Sequence, residues 1–197
     1  MPPSQKYDRL LWVDAFRGLA ILLMIPANLA PYLAEPHPMW FRILGSYAAP
    51  MFISISAGMV MLRGESHPPW YYIKRGLLVL LIGAGLDAAL WDIMPGTSWD
   101  VLYIIGPGMA VAYLSRKAGT GGLFAATAAI FTAAFVLRMA FGYGAEPLQV
   151  YWEEFAWPAA GPLFRSWFID GWFPIFPWIG FTVFGVGFFG MMFKAKR

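Results

Sequence analysis

Residues 9–33 read RLLWVDAFRGLAILLMIPANLAPYL, and no other stretch restricts the possible folds as much. The 24 residues from 10 to 33 suffice for one helical crossing of a bilayer, which takes about 20. Three polar groups interrupt the run. Asp14 and Arg17 are three positions apart, so they share a helix face near the start and can pair at the membrane interface. Asn28 lies about three turns deeper, beyond Pro26. A charge in an apolar span costs roughly 2.5–3.5 kcal/mol. Interfacial pairing removes most of that cost for Asp14 and Arg17. Asn28 has no such relief and is expected to face protein or a watery cavity.

The rest of the chain continues in the same manner. Of 197 residues 59% are hydrophobic and 13% charged, about half the charge of a soluble domain. These values predict an all-α fold: a polytopic membrane helix bundle forming a single domain over residues 1–197. The first apolar run is too long for a signal-peptide core and lacks a small-residue cleavage site, so it is expected to be retained. Further spans are predicted over residues 43–62, 72–91, 99–114, 123–141 and 172–193, which makes about six transmembrane helices. The second of these is rich in small residues (Ala48, Ala49, Ser54, Ser56, Ala57, Gly58) that permit close helix contact.

Alternating the spans sorts the charges. Ten basic residues (Lys6, Arg9, Arg63, Lys74, Arg75, Arg116, Lys117, Lys194, Lys196, Arg197) fall on one side and three (Arg42, Arg138, Arg165) on the other. The positive-inside rule then places both termini in the cytoplasm and the protein in the cytoplasmic membrane. The net charge of +3 follows from this topology and does not imply nucleic-acid binding. The opposite side is acidic and aromatic. Residues 151–167 there are expected to form a half-buried interfacial element, and tryptophans such as Trp40, Trp91, Trp99, Trp167 and Trp172 serve an interface belt or a platform for sugar rings. The absence of cysteine excludes disulfides and thiolate catalysis.

Few residues can carry chemistry. His67 lies in the basic-side loop RGESHPPW and reads as a solvated loop residue. His37, fixed between Pro36 and Pro38 on the opposite side, can take a proton near neutral pH. It lies close in sequence to Asn28, so a substrate wedged between them could reach both. Two histidines on opposite sides cannot share an ion, so no metal site is expected. Asp92 and Asp100 flank a short loop as polar loop residues or a carboxylate pair. The cations Arg17, Lys74, Arg75, Arg116 and Lys117 satisfy the positive-inside rule, or alternatively dock a phosphorylated donor.

Several of these stretches resemble one family. VDAFRGLAILLMIPANLAPYL is similar to the first helix of the transmembrane acyltransferases, with its acidic residue, arginine-glycine pair and apolar run. The closer likeness is to the catalytic domain of heparan-alpha-glucosaminide N-acetyltransferase and its short prokaryotic relatives. It rests on Asn28, His37-Pro-Met-Trp40, Pro50-Met-Phe52 through Gly58, Ser98-Trp99-Asp100, and Phe173-Pro-Ile-Phe-Pro177-Trp178-Ile-Gly180, in that order along the chain. The resemblance implies transfer of an acetyl or other acyl group from cytoplasmic acyl-CoA to an amine or hydroxyl of an extracytoplasmic sugar or glycan. It casts His37 and Asn28 as catalytic. Arg17 with Asp14 beside it, and Lys74, Arg75, Arg116 and Lys117, would hold the CoA phosphates. Trp40, Trp99, Asp100 and Trp178 would bind the acceptor, and no metal is implied. Better-known members have more spans than this chain, and a homodimer embedded in lipid could supply the missing helices.

Two non-enzymatic readings stand beside this one. Asn28, Asp87 and Arg138 could line the path of a small-molecule carrier or channel subunit, as intramembrane polar groups often do. Alternatively, small-residue faces could make the chain an assembly partner in a membrane complex.

Overall fold

The computed structural model describes residues 10–30, 38–142, 148–154 and 157–194. His37 lies outside the described residues, as do Lys6, Arg9, Lys196 and Arg197. The described residues form α1 (Leu11–Leu29), α2 (Met39–Arg63), α3 (Pro69–Leu90), α4 (Val101–Ser115), α5 (Thr120–Phe141), α6 (Ala160–Arg165) and α7 (Ile175–Lys194). A π-helical turn, Ser166–Asp170, continues α6. An isolated antiparallel bridge between Ile93 and Tyr151 is the only β pairing among them. The predicted all-helical bundle is therefore observed. The interfacial element expected over residues 151–167 takes the form of a loop followed by α6.

Four helices, α1, α2, α5 and α7, are long and apolar enough to cross a membrane, as an integral membrane protein requires. The other two long helices differ for readable reasons. α3 spans 22 residues but carries Lys74, Arg75 and Asp87. α4 has 15 residues, about 22 Å at 1.5 Å per residue, against a hydrocarbon core of about 30 Å. The missing length above α4 is made up by the connection from α3. There Ile93, Met94, Thr97 and Ser98 are buried. Irregular backbone at such depth is tolerated only inside protein, with its polar groups paired. Residues 148–154 supply the partners: Met94 N–H donates to Val150 O (2.7 Å) and Trp152 N–H to Asp92 O (3.1 Å). Val150 N–H in turn donates to the Thr97 hydroxyl (3.3 Å).

α7 sits at the centre, packed on α2, α4 and α5, while α3 lies on α4 and α1 chiefly on α2. In lipid, helix association depends on close packing, so small residues mark the contacts. At Gly185 the backbone of α7 meets the Ser54 carbonyl of α2 with no room for a side chain. At Gly76 a methyl group would stand 2.5 Å from the Gly106 carbonyl oxygen of α4. Between these contacts lie two apolar layers. One holds Ile53, Val101, Ile104 and Ile105, and the other Ala57, Val60, Tyr72, Ala112, Val183 and Val186.

The alternating course gathers the cations as expected. Arg63, Lys74, Arg75, Arg116 and Lys117 belong to the end where α2 and α4 finish and α3 and α5 begin, hereafter the basic end. Trp40, Trp99, Asp100 and Trp178 belong to the opposite, aromatic end.

Gly185→Ala should separate α2 from α7 and cost about 1–3 kcal/mol by overpacking. Gly85→Ala, which meets open space, should be neutral or slightly stabilising by up to about 1 kcal/mol of helix propensity. Thermal unfolding of the two variants in one detergent checks the contrast. Equal midpoints would show that the α2–α7 contact is not the tight one.

Candidate functional site at the basic end

Four helices leave a cavity of about 220 Å³ at the basic end. α1 contributes Arg17 to its wall, and the last turns of α2 contribute Ser56, Met59, Val60 and Arg63. The α2–α3 loop and the start of α3 add His67, Tyr71, Tyr72 and Arg75, and α4 adds Met109 at the inner end. Three guanidinium groups thus face one space with no carboxylate among the lining residues. Such a set attracts anions, and guanidinium suits phosphate because it offers paired donors in a fixed plane.

The aromatic side of this cavity is built by register. Pro69 occupies the start of α3, where its missing N–H costs nothing. Tyr71 and Arg75 lie four apart on one face of α3, and His67, in the loop four residues before Tyr71, continues that line. The His67 ring stacks on Tyr71 at 4.1 Å between centroids, with 22° between planes. Arg75 lies over the Tyr71 ring at 5.6 Å and donates to its hydroxyl at 2.8 Å. Behind them the Tyr72 hydroxyl donates to the Arg63 carbonyl (2.7 Å), tying the end of α2 to the start of α3. Tyr72 also stacks on Tyr113 of α4 at 5.0 Å.

The predicted donor-binding residues divide accordingly. Arg17 and Arg75 line the cavity. Asp14 stands one turn before Arg17, half-buried and outside the lining. Lys74 lies over the Trp70 ring at 5.4 Å on an exposed face. Arg116 lies over Tyr113 at 3.6 Å, with its guanidinium donating to the Tyr113 carbonyl. Lys117 is exposed past the end of α4. Arg63, His67, Tyr71 and Tyr72 were not anticipated as site residues. The four-residue spacing of His67, Tyr71 and Arg75 across Pro68-Pro69 is the signal that could have found His67 and Tyr71.

At the aromatic end the candidates form two groups. Trp99 stacks between Tyr103 (5.4 Å) and Trp167 (4.9 Å), and its φ of 45° is a left-handed value that a bulky residue adopts only under constraint. Its indole N–H is buried without a partner. Asp100 caps α4 by accepting the Val101 N–H. Trp178 packs on Phe173 at 4.7 Å, and Phe173 N–H donates to Trp99 O at 3.2 Å, so these residues adjoin. Asn28 and Trp40 belong to the other group, on α1 and α2. Both are exposed. The reason is that α1 packs chiefly on α2 and buries only one stripe.

Asp87 is 3% exposed, yet it does not line the basic cavity. Its carboxylate accepts from Ser98 (2.9 and 3.0 Å) and from the Tyr103 hydroxyl (2.7 Å). The Tyr103 oxygen accepts the Gly96 N–H (2.9 Å), and Trp167 donates to Gly96 O (2.7 Å). The network binds α3, the start of α4 and the π turn together. Arg138 points elsewhere, toward the Ile169 carbonyl. Asn28, Asp87 and Arg138 are not among the residues lining the basic cavity. No group of three potential ligands that could hold a metal occurs among the described residues.

Asp87→Leu should strand the Ser98 and Tyr103 hydroxyls at about 1–3 kcal/mol each, whereas Tyr103→Phe should cost about 1 kcal/mol. The check is thermal unfolding in detergent, where Asp87→Leu should melt well below Tyr103→Phe. A wild-type midpoint for Asp87→Leu would mean that the network holds nothing together.

Residues 9–197 match the family model for heparan-alpha-glucosaminide N-acetyltransferase, catalytic. No curated protein and no solved structure matches the chain.

Proposed function

We propose that this chain, which belongs to the heparan-alpha-glucosaminide N-acetyltransferase catalytic-domain family, is a membrane acyltransferase that binds an acyl-CoA donor in the basic cavity. One observation carries the donor assignment: Arg17, Arg63 and Arg75 converge on a cavity that also holds the His67–Tyr71 ring stack. Phosphates suit the guanidinium groups, and a flat purine suits the stacked rings. The positive-inside rule puts this end in the cytoplasm of a cell whose cytoplasmic membrane holds the protein.

The acceptor, an amine or hydroxyl of an extracytoplasmic sugar or glycan, belongs at the aromatic end. Trp99, Asp100 and Trp178 adjoin there, and Trp40 lies at the same end. In the transfer the acceptor heteroatom attacks the thioester carbonyl, a C–N or C–O bond forms, and the C–S bond breaks. The acceptor proton passes to His37 and the released thiolate takes up a proton. Asn28 offers an amide donor for the developing oxyanion. Ile53, Val101, Ile104 and Ile105 form an apolar layer between the two ends. Transfer therefore requires that layer to part, or a second copy to complete the route.

Arg17→Ala and Arg75→Ala should each weaken acetyl-CoA binding about tenfold or more, the worth of a charge-assisted hydrogen bond of about 1.5–3 kcal/mol. His37→Ala should abolish transfer and leave that binding intact. Equilibrium binding of isotopically labelled acetyl-CoA to the purified chain in lipid nanodiscs measures both. Absence of binding by the wild-type protein would reject the donor assignment.

A further inference from the structure

Two side-chain polar atoms at the aromatic end are buried without a hydrogen-bond partner: the indole nitrogen of Trp99 and the hydroxyl of Ser166. Both sit on irregular backbone. Trp99 has its left-handed φ of 45°, and Ser166 opens the π turn, a distortion frequent at functional sites. The two residues adjoin. Ser166 directly precedes Trp167, whose ring is stacked on Trp99 at 4.9 Å. Beyond the turn, Phe173 N–H donates to Trp99 O at 3.2 Å. A methyl group on Gly171 would stand 2.9 Å from Ser166 Oγ, so backbone closes one side of that hydroxyl. The neighbouring groups are all satisfied. The Trp167 indole donates to Gly96 O (2.7 Å), the Ser98 hydroxyl to Asp87, and the Thr97 hydroxyl to Met94 O (2.8 Å). Buried indole and hydroxyl groups as a rule find a partner in protein, water or ligand. For Trp99 and Ser166 the chain does not supply it.

We propose that Trp99 Nε1 and Ser166 Oγ together hold one neutral hydroxyl oxygen, supplied by the acceptor sugar or by water. The sugar source rests on the acceptor reading above; the oxygen site does not. Trp99 cannot serve as a platform for a sugar ring, because Tyr103 and Trp167 stack on it from either side. Its edge remains, and that edge offers a single donor. An ammonium group is unsuited, since it has no lone pair for the indole to meet. An anion is unsuited as well. Asp100 follows Trp99 in the chain, and Asp87 holds both Ser98 and Tyr103 beside it. A hydroxyl fits both groups. It accepts from the indole and shares a hydrogen bond with serine, which can donate or accept. Water has the same chemistry and fills such positions when they are polar enough.

The test follows the indole N–H resonances of the full chain, carrying isotope-labelled tryptophan, in lipid nanodiscs. Trp99→Phe keeps a stacked ring and identifies the Trp99 resonance by its loss; contacts with the Tyr103 ring identify it if that variant does not fold. Without sugar, the resonance should receive magnetisation from a bound water. Methyl glucoside should shift it saturably and displace that water, whereas methylammonium and inorganic phosphate should leave it in place. Ser166→Ala should remove the water contact and weaken methyl glucoside about fivefold, as loss of one hydrogen bond does. A saturable shift assigns the oxygen to the acceptor, and a water that methyl glucoside leaves undisturbed assigns it to water. A Trp99 resonance with neither contact, or one whose contact survives Ser166→Ala unweakened, would overturn the proposal. Binding of labelled acetyl-CoA by the wild-type protein, measured on the same sample, reports separately on the donor reading, so either can fail alone.

Discussion

The structure depends on backbone meeting backbone. In water, helices are driven together by removing apolar surface from solvent, but hydrocarbon tails are as apolar as leucine and that drive disappears. What remains is contact, and contact requires the absence of side chains where axes cross. Gly185 against Ser54 sets the α2–α7 separation, and Gly76 against Gly106 sets that of α3 and α4. The two close crossings hold two pairs of helices, and the larger side chains fill what lies between. Ile53 and Ile104, each 1% exposed, belong to that filling. The basic cavity is where the filling stops short, so the site and the packing have one origin.

Among the described residues, Asp87, Thr97, Ser98 and Ser166 gather much of the buried polar surface near the aromatic end. A carboxylate in an apolar environment is tolerable only with hydrogen bonds to its oxygens. Asp87 obtains these from Ser98 and Tyr103, which lie on either side of the turn into α4. The consequence reaches beyond Asp87, because Ser98 is followed at once by Trp99, whose backbone is held at positive φ. Strain of that type costs about 1–3 kcal/mol and persists where the surroundings over-determine the residue. Here the surroundings are two stacked rings and the hydrogen-bonded ends of three elements.

Periodicity and composition made the helices legible, because a membrane span must satisfy its backbone within itself and so announces its length in sequence. The sorting of charge to one end was legible as well, and it singled out Arg17 and Arg75, which line the basic cavity. Pairings across sequence were not. Nothing in the spacing ties Asp87 to Tyr103, sixteen positions apart, because their meeting depends on how α3 crosses α4. His67 lies in an exposed loop, as its place beside two prolines implies, but its ring contact was not legible. Its stacking on Tyr71 depends on where α3 begins. The exposure of Asn28 was equally hidden, since it depends on how many neighbours α1 has, and apolarity alone does not count them.

The asymmetry of the two ends bears on the direction of the proposed reaction. Phosphate groups cannot enter hydrocarbon without losing their hydration. A neutral thioester arm carries no such penalty. Arginines gathered at one end would hold the charged part of the donor there. Ser56 and Met109 would meet only the uncharged part. The acceptor, polar and bulky, would stay at the aromatic end, where carboxylates and indoles face the opposite aqueous side. On this reading the apolar layer of Ile53, Val101, Ile104 and Ile105 is a functional element. By staying closed except to a thin neutral chain, it would let an acyl group pass while holding back the nucleotide and the glycan.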